Sequence, residues 1–184
     1  MLVQSVSSFV LQRYEDLIED NVIIASYLTM LVGGGGNAAV QVVTDIVRRQ
    51  TQAQHDVSGK YEPPKFARTI GREALLALMA AVTVAGVAYP RVRYLSFGSL
   101  PSALDAVAIS TAYCVIIVLA CTVAVIVTFF LHWVDKKGSL ASAGAPPSVQ
   151  VLVDVLGILV AFLIFEALLG KSFEDPPPDP PPPS

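Results

Sequence analysis

Four long apolar runs limit what this chain can fold into: roughly 22–44, 74–89, 106–133 and 149–169. A helix needs about 20 apolar residues to cross a hydrocarbon core of ~30 Å, and all four approach or exceed that length. Backbone groups in lipid must hydrogen-bond within their own segment, so such runs are helices. With 54% hydrophobic and 15% charged residues and a mean hydropathy of +0.62, the chain is too apolar for an ordinary soluble domain. The expected class is an all-α, multi-pass integral membrane protein with four full transmembrane helices. Either a plasma membrane or an organelle membrane fits. The opening "MLVQSVSSFVL" covers only about half a bilayer as a helix. It lacks the basic start and cleavage site of a secretory leader. It reads as the tail end of a truncated first helix, with an interfacial amphipathic helix as the alternative. The expected organisation is one transmembrane domain over 1–170 and a disordered, proline-rich tail over 171–184, ending "EDPPPDPPPPS" and extended as polyproline II.

The basic residues orient the spans. Arg48, Arg49, Lys60, Lys65, Arg68 and Arg72, six of the twelve Lys and Arg, fall in the loop after the first run. By the positive-inside rule this loop faces the cytoplasm or its equivalent. Lys136 and Lys137 then also lie inside, which makes eight basic residues inside and four outside. The four acids Glu15, Asp16, Glu19 and Asp20 lie outside. The basic loop is suited to anionic headgroups, although the orientation bias already accounts for it.

Enzyme chemistry finds no support. Cys114 and Cys121 lie within one apolar run and form neither a disulfide framework nor a metal site. His55 and His132 stand far apart. No nucleophile–base pair, phosphate-binding loop or dinucleotide fingerprint is present, since "GGGG" lacks its strand and its later acid. No enzyme activity and no nucleic-acid partner are expected.

The informative residues are the polar ones inside the spans. Asp154 lies about five residues into the last run, with no Lys or Arg in that run. An intramembrane carboxylate marks a functional site by default; a paired or helix-capping carboxylate is the structural alternative. Pro146-Pro147 suit a first helical turn, and Gly157 shares a helix face with Asp154, admitting a neighbouring backbone. In the first run, Gly33–Gly36 precede Asn37 and Gln41. Glycines let backbones pack closely or leave helical geometry. Asn37 and Gln41, four apart, share a face and offer uncharged oxygens, and Asp45 extends the row. Oxygen ligands suit a hard, hydrated cation such as Mg²⁺. Glycine-mediated packing with amides as interhelical glue is the equal alternative.

Three stretches resemble the membrane domain of the MgtE-type magnesium channels and transporters, related to the solute carrier family 41 proteins. "GGNAAVQVVTDIVR" is similar to that family's Gly-Asn-x-Gly-x-Gln signature with a following Arg, here Arg48. Tyr14-Glu15 is similar to a Phe-Glu pair ending the family's first helix. "PPSVQVLVDVLGILVAF" resembles its final helix, with Pro147, Asp154, Gly157 and Phe162 in register. The resemblance implies a five-helix domain whose first helix is incomplete here, assembling as a homodimer or with a homologous second half in a lipid bilayer. It implies a pore between the second and fifth helices, with Asp154 holding hydrated Mg²⁺, Asn37 and Gln41 as polar wall, and Glu15 near the outer mouth. Mn²⁺ and Co²⁺ accept the same oxygen ligands. The expected function is therefore divalent cation transport; the alternative is a non-conducting fragment or regulatory subunit of a larger Mg²⁺ transporter. Several positions depart from the family pattern. Ala39 replaces a signature glycine and Thr29 a proline. Ser139-Leu140 stand for an Asp-Pro pair, Gln150-Val151 for a threonine pair, and Pro146 for a small or amide residue. No stretch resembles the family's paired CBS modules that sense Mg²⁺.

Overall fold

The computed structural model describes residues 22–56, 59, 62–95, 102–135 and 139–173. These form four helices: α1 Val22–His55, α2 Phe66–Leu95, α3 Ala103–Val134 and α4 Ser139–Phe173. No strand occurs among the described residues. Each helix contains a stretch long and apolar enough to cross a membrane: Tyr27–His55, Phe66–Leu95, Ala103–Val134 and Gly144–Leu169. The chain is thus an all-α, multi-pass integral membrane protein. The opening run, Tyr14, Glu15 and the tail beyond Phe173 lie outside the described residues.

The helices outrun their apolar runs because soluble ends continue the same hydrogen-bond ladder. With 34 residues, α1 is about 51 Å long at 1.5 Å per residue, so its polar last turns project beyond a ~30 Å core. The start of α3 is fixed three residues before the apolar run by a capping box. Ser102 Oγ accepts from the Asp105 backbone N–H at 3.1 Å, and Asp105 Oδ2 accepts from the Ser102 N–H at 2.7 Å. Such a reciprocal pair satisfies two of the open N–H donors of a helix start.

One sequence expectation is corrected. Pro146-Pro147 do not open the last helix but lie inside it, two turns after its start at Ser139. The missing N–H groups therefore leave the carbonyls of Ser142 and Ala143 without their helical donors, a local break in the ladder rather than a cost-free first turn. Pro90 lies inside α2 in the same way.

The third helix is the centre of the bundle: α1, α2 and α4 all pack along it, and α1 also packs along α4, while neither packs along α2. Its small buried residues Ala106, Ala108, Ala112, Ala120 and Ala124 admit three neighbours. One core cluster joins Leu31, Ile109, Ile116, Phe162 and Phe165. A second joins Val43, Ile46, Ala77, Ala81, Val125 and Val149. The first turn of α2 is held to α3 by an edge-to-face pair, Phe66 and Phe129, with ring centroids 5.3 Å apart. The outer face of α2 exposes Leu75, Leu78, Met79, Val82 and Val87, a surface only lipid or another protein can cover.

The four glycines stay helical, so their role is close approach. A Cβ at Gly34 would overlap the Tyr113 ring of α3, and one at Gly36 would overlap the Gln150 amide of α4. A Cβ at Gly35 would stand 2.6 Å from Ile116 Cγ2, whereas nothing lies within 4 Å of Gly33. Gly35→Ala is expected to destabilise the bundle by about 1–3 kcal/mol, the usual scale of overpacking. Gly33→Ala should leave the thermal midpoint unchanged or slightly raised. Unfolding of the two variants in the same detergent checks the contrast, and Ile116→Ala should restore the Gly35→Ala protein.

Candidate functional site

Asp154 lies on α4, one turn beyond Gln150 and opposite the glycine segment of α1. Gln150 Nε2 donates to Asp154 Oδ1 at 2.7 Å. The Gln150 side chain in turn lies against Gly36. Glycine at 36 is therefore what makes room for the amide that orients the carboxylate. One turn further along α4, Gly157 lies beside Val32 of α1 and Ile116 of α3, with contacts near 3.6 Å for a Cβ placed there. Asp154 is half-buried, and Gln150 leaves its second oxygen, Oδ2, without a hydrogen bond from a described residue.

Asn37 follows Gly36 directly and is exposed, as are Gln41 and Thr44 on the same side of α1. Together with Gly33 these form a strip that no other described helix covers. Neither Asn37 nor Gln41 hydrogen-bonds another described side chain. The two amides nevertheless diverge. Gln41 lines a cleft of about 280 Å³ between α1 and α2 with Asp45, Arg72 and Glu73, whereas Asn37 stands clear of it. The row does not end in a free acid either. Asp45 is held by Arg48 at 3.0 Å, Arg49 at 2.6 Å and Arg72 at 3.5 Å. Glu15 lies outside the described residues.

Two functional candidates were missed in the sequence. Gln150 counts there only as a departure from a threonine pair; its i, i+4 spacing to Asp154 was the available signal. Glu73 is buried on α2, in helical register with buried Ala77, Ala81 and Ala88. Its Oε1 lies 3.4 Å from Arg72 Nη1, close enough for attraction but without a hydrogen bond. That register, continuing an alanine stripe with an acid, was legible. Among the described residues no three His, Cys, Asp or Glu side chains converge as a metal cluster.

A half-buried carboxylate, an amide that orients it and an exposed polar strip stand within the membrane-spanning helices of a polytopic protein, where polar side chains are rare. The comparisons agree. Residues 28–164 match the family model MgtE, described as a divalent cation transporter, and the chain belongs to that family. It is 28% identical over 169 residues to the magnesium transporter MgtE of Thermus thermophilus, an alignment covering 92% of this chain and 34% of that protein. The chain therefore spans about a third of the length of this curated relative.

Replacing Gln150 with Leu removes the donor to Asp154 while keeping bulk against Gly36. A loss of about 1–2 kcal/mol is expected, at the scale of a partly exposed hydrogen bond to a charged group. Chemical unfolding checks it. Asp154→Asn combined with Gln150→Leu should cost less than the sum of the single changes.

Proposed function

We propose that this chain forms one half of a pathway for a divalent cation, with Mg²⁺ as the preferred substrate, across a membrane. The observation that carries the reading is the polar surface that the other described helices leave uncovered within the spans, Asn37, Gln41 and Thr44 on α1, together with the half-buried Asp154 on α4, whose partner Gln150 lies against Gly36 of α1. Amides and a carboxylate facing lipid are costly, so such a surface belongs against a wet cavity or another protein. A second copy of the chain, or a homologous half, supplies both. The magnesium transporter similarity supports Mg²⁺ as the cargo.

One Asp154 offers a single carboxylate, too little to strip a strongly hydrated dication. Two copies about an axis bring two carboxylates to one place. They attract the ion through its retained water shell, strongly enough to admit it and weakly enough to release it. Gln150 fixes the rotamer of Asp154, so that Oδ2 accepts hydrogen bonds from the waters of the ion. The Asn37 carbonyl oxygen accepts from the same shell without adding charge. Glu15, by its position in the family pattern, would gather cations at the outer mouth. Mn²⁺ and Co²⁺ use the same oxygen ligands and are expected to compete.

Mg²⁺ influx into proteoliposomes under an inward gradient tests the pathway. Wild type should conduct, and Asp154→Asn, still inserted and folded, should lose most of the flux. Flux retained in the variant would overturn the assignment of Asp154. Flux from neither protein would instead favour a non-conducting subunit of a larger transporter.

The arrangement of copies has its own test. In a background lacking Cys114 and Cys121, Asn37→Cys should cross-link two chains in the membrane, whereas Val87→Cys on the exposed face of α2 should not. Equal cross-linking at both positions would reject the pairing through α1.

A further inference from the structure

The inner ends of α1 and α2 enclose a cleft of about 400 Å³ that the cation pathway does not use. Five cations line it: Arg48 and Arg49 from α1, and Lys65, Arg68 and Arg72 from the start of α2. The facing acid is Glu62. Asp45 behind them is shared by Arg48, Arg49 and Arg72. Lys65 has only a long contact of 3.8 Å to Glu62. Arg68, exposed on the wall of the cleft, has no ion pair among the described residues. Glu73 lies 3.4 Å from Arg72, so five cations stand against the three acids Asp45, Glu62 and Glu73, and the excess is positive.

Two further features point to the ligand. The N-terminus of the 30-residue α2 opens beside this cleft, behind Pro63 and Pro64, with no acidic residue in its first turn. Open N–H groups and the positive end of a helix favour a phosphate there. The cleft also continues. Arg72 is shared with the second space of about 280 Å³ that runs on between α1 and α2; Asp45 and Glu73 line it beside Arg72, and beyond them Gln41 is the one polar residue among Ala38, Val42, Leu76, Ala80 and Ile117. That groove exists because α1 and α2 do not pack along each other. A basic mouth at the level of the headgroups, followed by a groove that turns mostly apolar past Asp45 and Glu73, has the polarity of a phospholipid.

We infer that this α1–α2 cleft binds one anionic phospholipid, its phosphate among Arg68, Lys65 and the start of α2, and an acyl chain along the Ala38–Ala80 groove. The groove passes Gln41 but does not include Asp154, and its test reads retained lipid rather than transport. It differs from general attraction to a charged membrane surface in having a bounded mouth and a chain-sized groove.

The test uses the full chain in nanodiscs of mixed phosphatidylcholine and phosphatidylglycerol, followed by native mass spectrometry of the lipid it retains. Wild type should retain phosphatidylglycerol preferentially. Lys65→Gln with Arg68→Gln should weaken that preference about thirtyfold, at the known scale of two juxtamembrane cations. Arg91→Gln with Arg93→Gln, at the other end of α2, should leave it unchanged. Ala80→Leu, which fills the groove, should reduce lipid retention while leaving any effect of inorganic phosphate on the thermal midpoint intact. Equal retention of the two lipids by wild type would overturn the inference without recourse to any variant. Protection by inorganic phosphate or glycerol phosphate as large as that by the lipid would reassign the cleft to a free anion. An equal loss of preference from the Arg91 and Arg93 changes would reduce it to surface charge.

Discussion

The approach of α1 to α3 and α4 at Gly34, Gly35 and Gly36 is the contact on which the rest of the arrangement depends. Tyr113, Ile116 and Gln150 fill the space that three side chains would otherwise take. In lipid no hydrophobic force drives helices together, so association relies on dispersion contacts and hydrogen bonds made at short range. Small residues on α1 meet bulky ones on its neighbours, and the interdigitation fixes the rotation of α1 about its axis. That rotation determines which residues face outward. With Gly35 and Ala39 turned inward, Asn37 and Gln41 are necessarily left outside.

The same contact couples packing to chemistry. Gln150 can reach Asp154 and lie against α1 only because position 36 has no side chain. A larger residue there would push the amide away and free the carboxylate to change rotamer. The orientation of the acid is thus set from another helix, the indirect control by which supporting residues usually hold a functional group.

Much of this was legible in the sequence, for reasons that differ between elements. The four spans follow from hydropathy because lipid leaves the backbone no alternative to helix. Asp154 stands out because charge within an apolar run is rare. The family signature, too, is local in sequence. The role of the glycines was open between close packing and distorted backbone, and α1 takes the first. Pro146-Pro147 were misplaced because proline suits a first turn, yet the segment from Ser139 adds two helical turns ahead of it. The fate of Asp45 was not legible at all. Two of its partners are close in sequence, but Arg72 comes from the next helix, and only the folded chain brings it within 3.5 Å. The divergence of Asn37 and Gln41 likewise depends on where α2 stands, which helical spacing alone does not specify.

The arginine cage around Asp45 has a consequence for the electrostatic potential along α1. Asp45 lies eight residues from Asn37, about 12 Å along the helix axis, and the guanidinium groups of Arg48, Arg49 and Arg72 surround it. At physiological ionic strength the screening length is about 8 Å, shorter than that separation, and Arg48 is largely exposed to the electrolyte. In dilute buffer the screening length grows to about 30 Å, longer than that separation, and salt screens the cage far less at Asn37. The potential that the cage sets up at Asn37 therefore belongs partly to the surrounding salt, and the polypeptide fixes only its position.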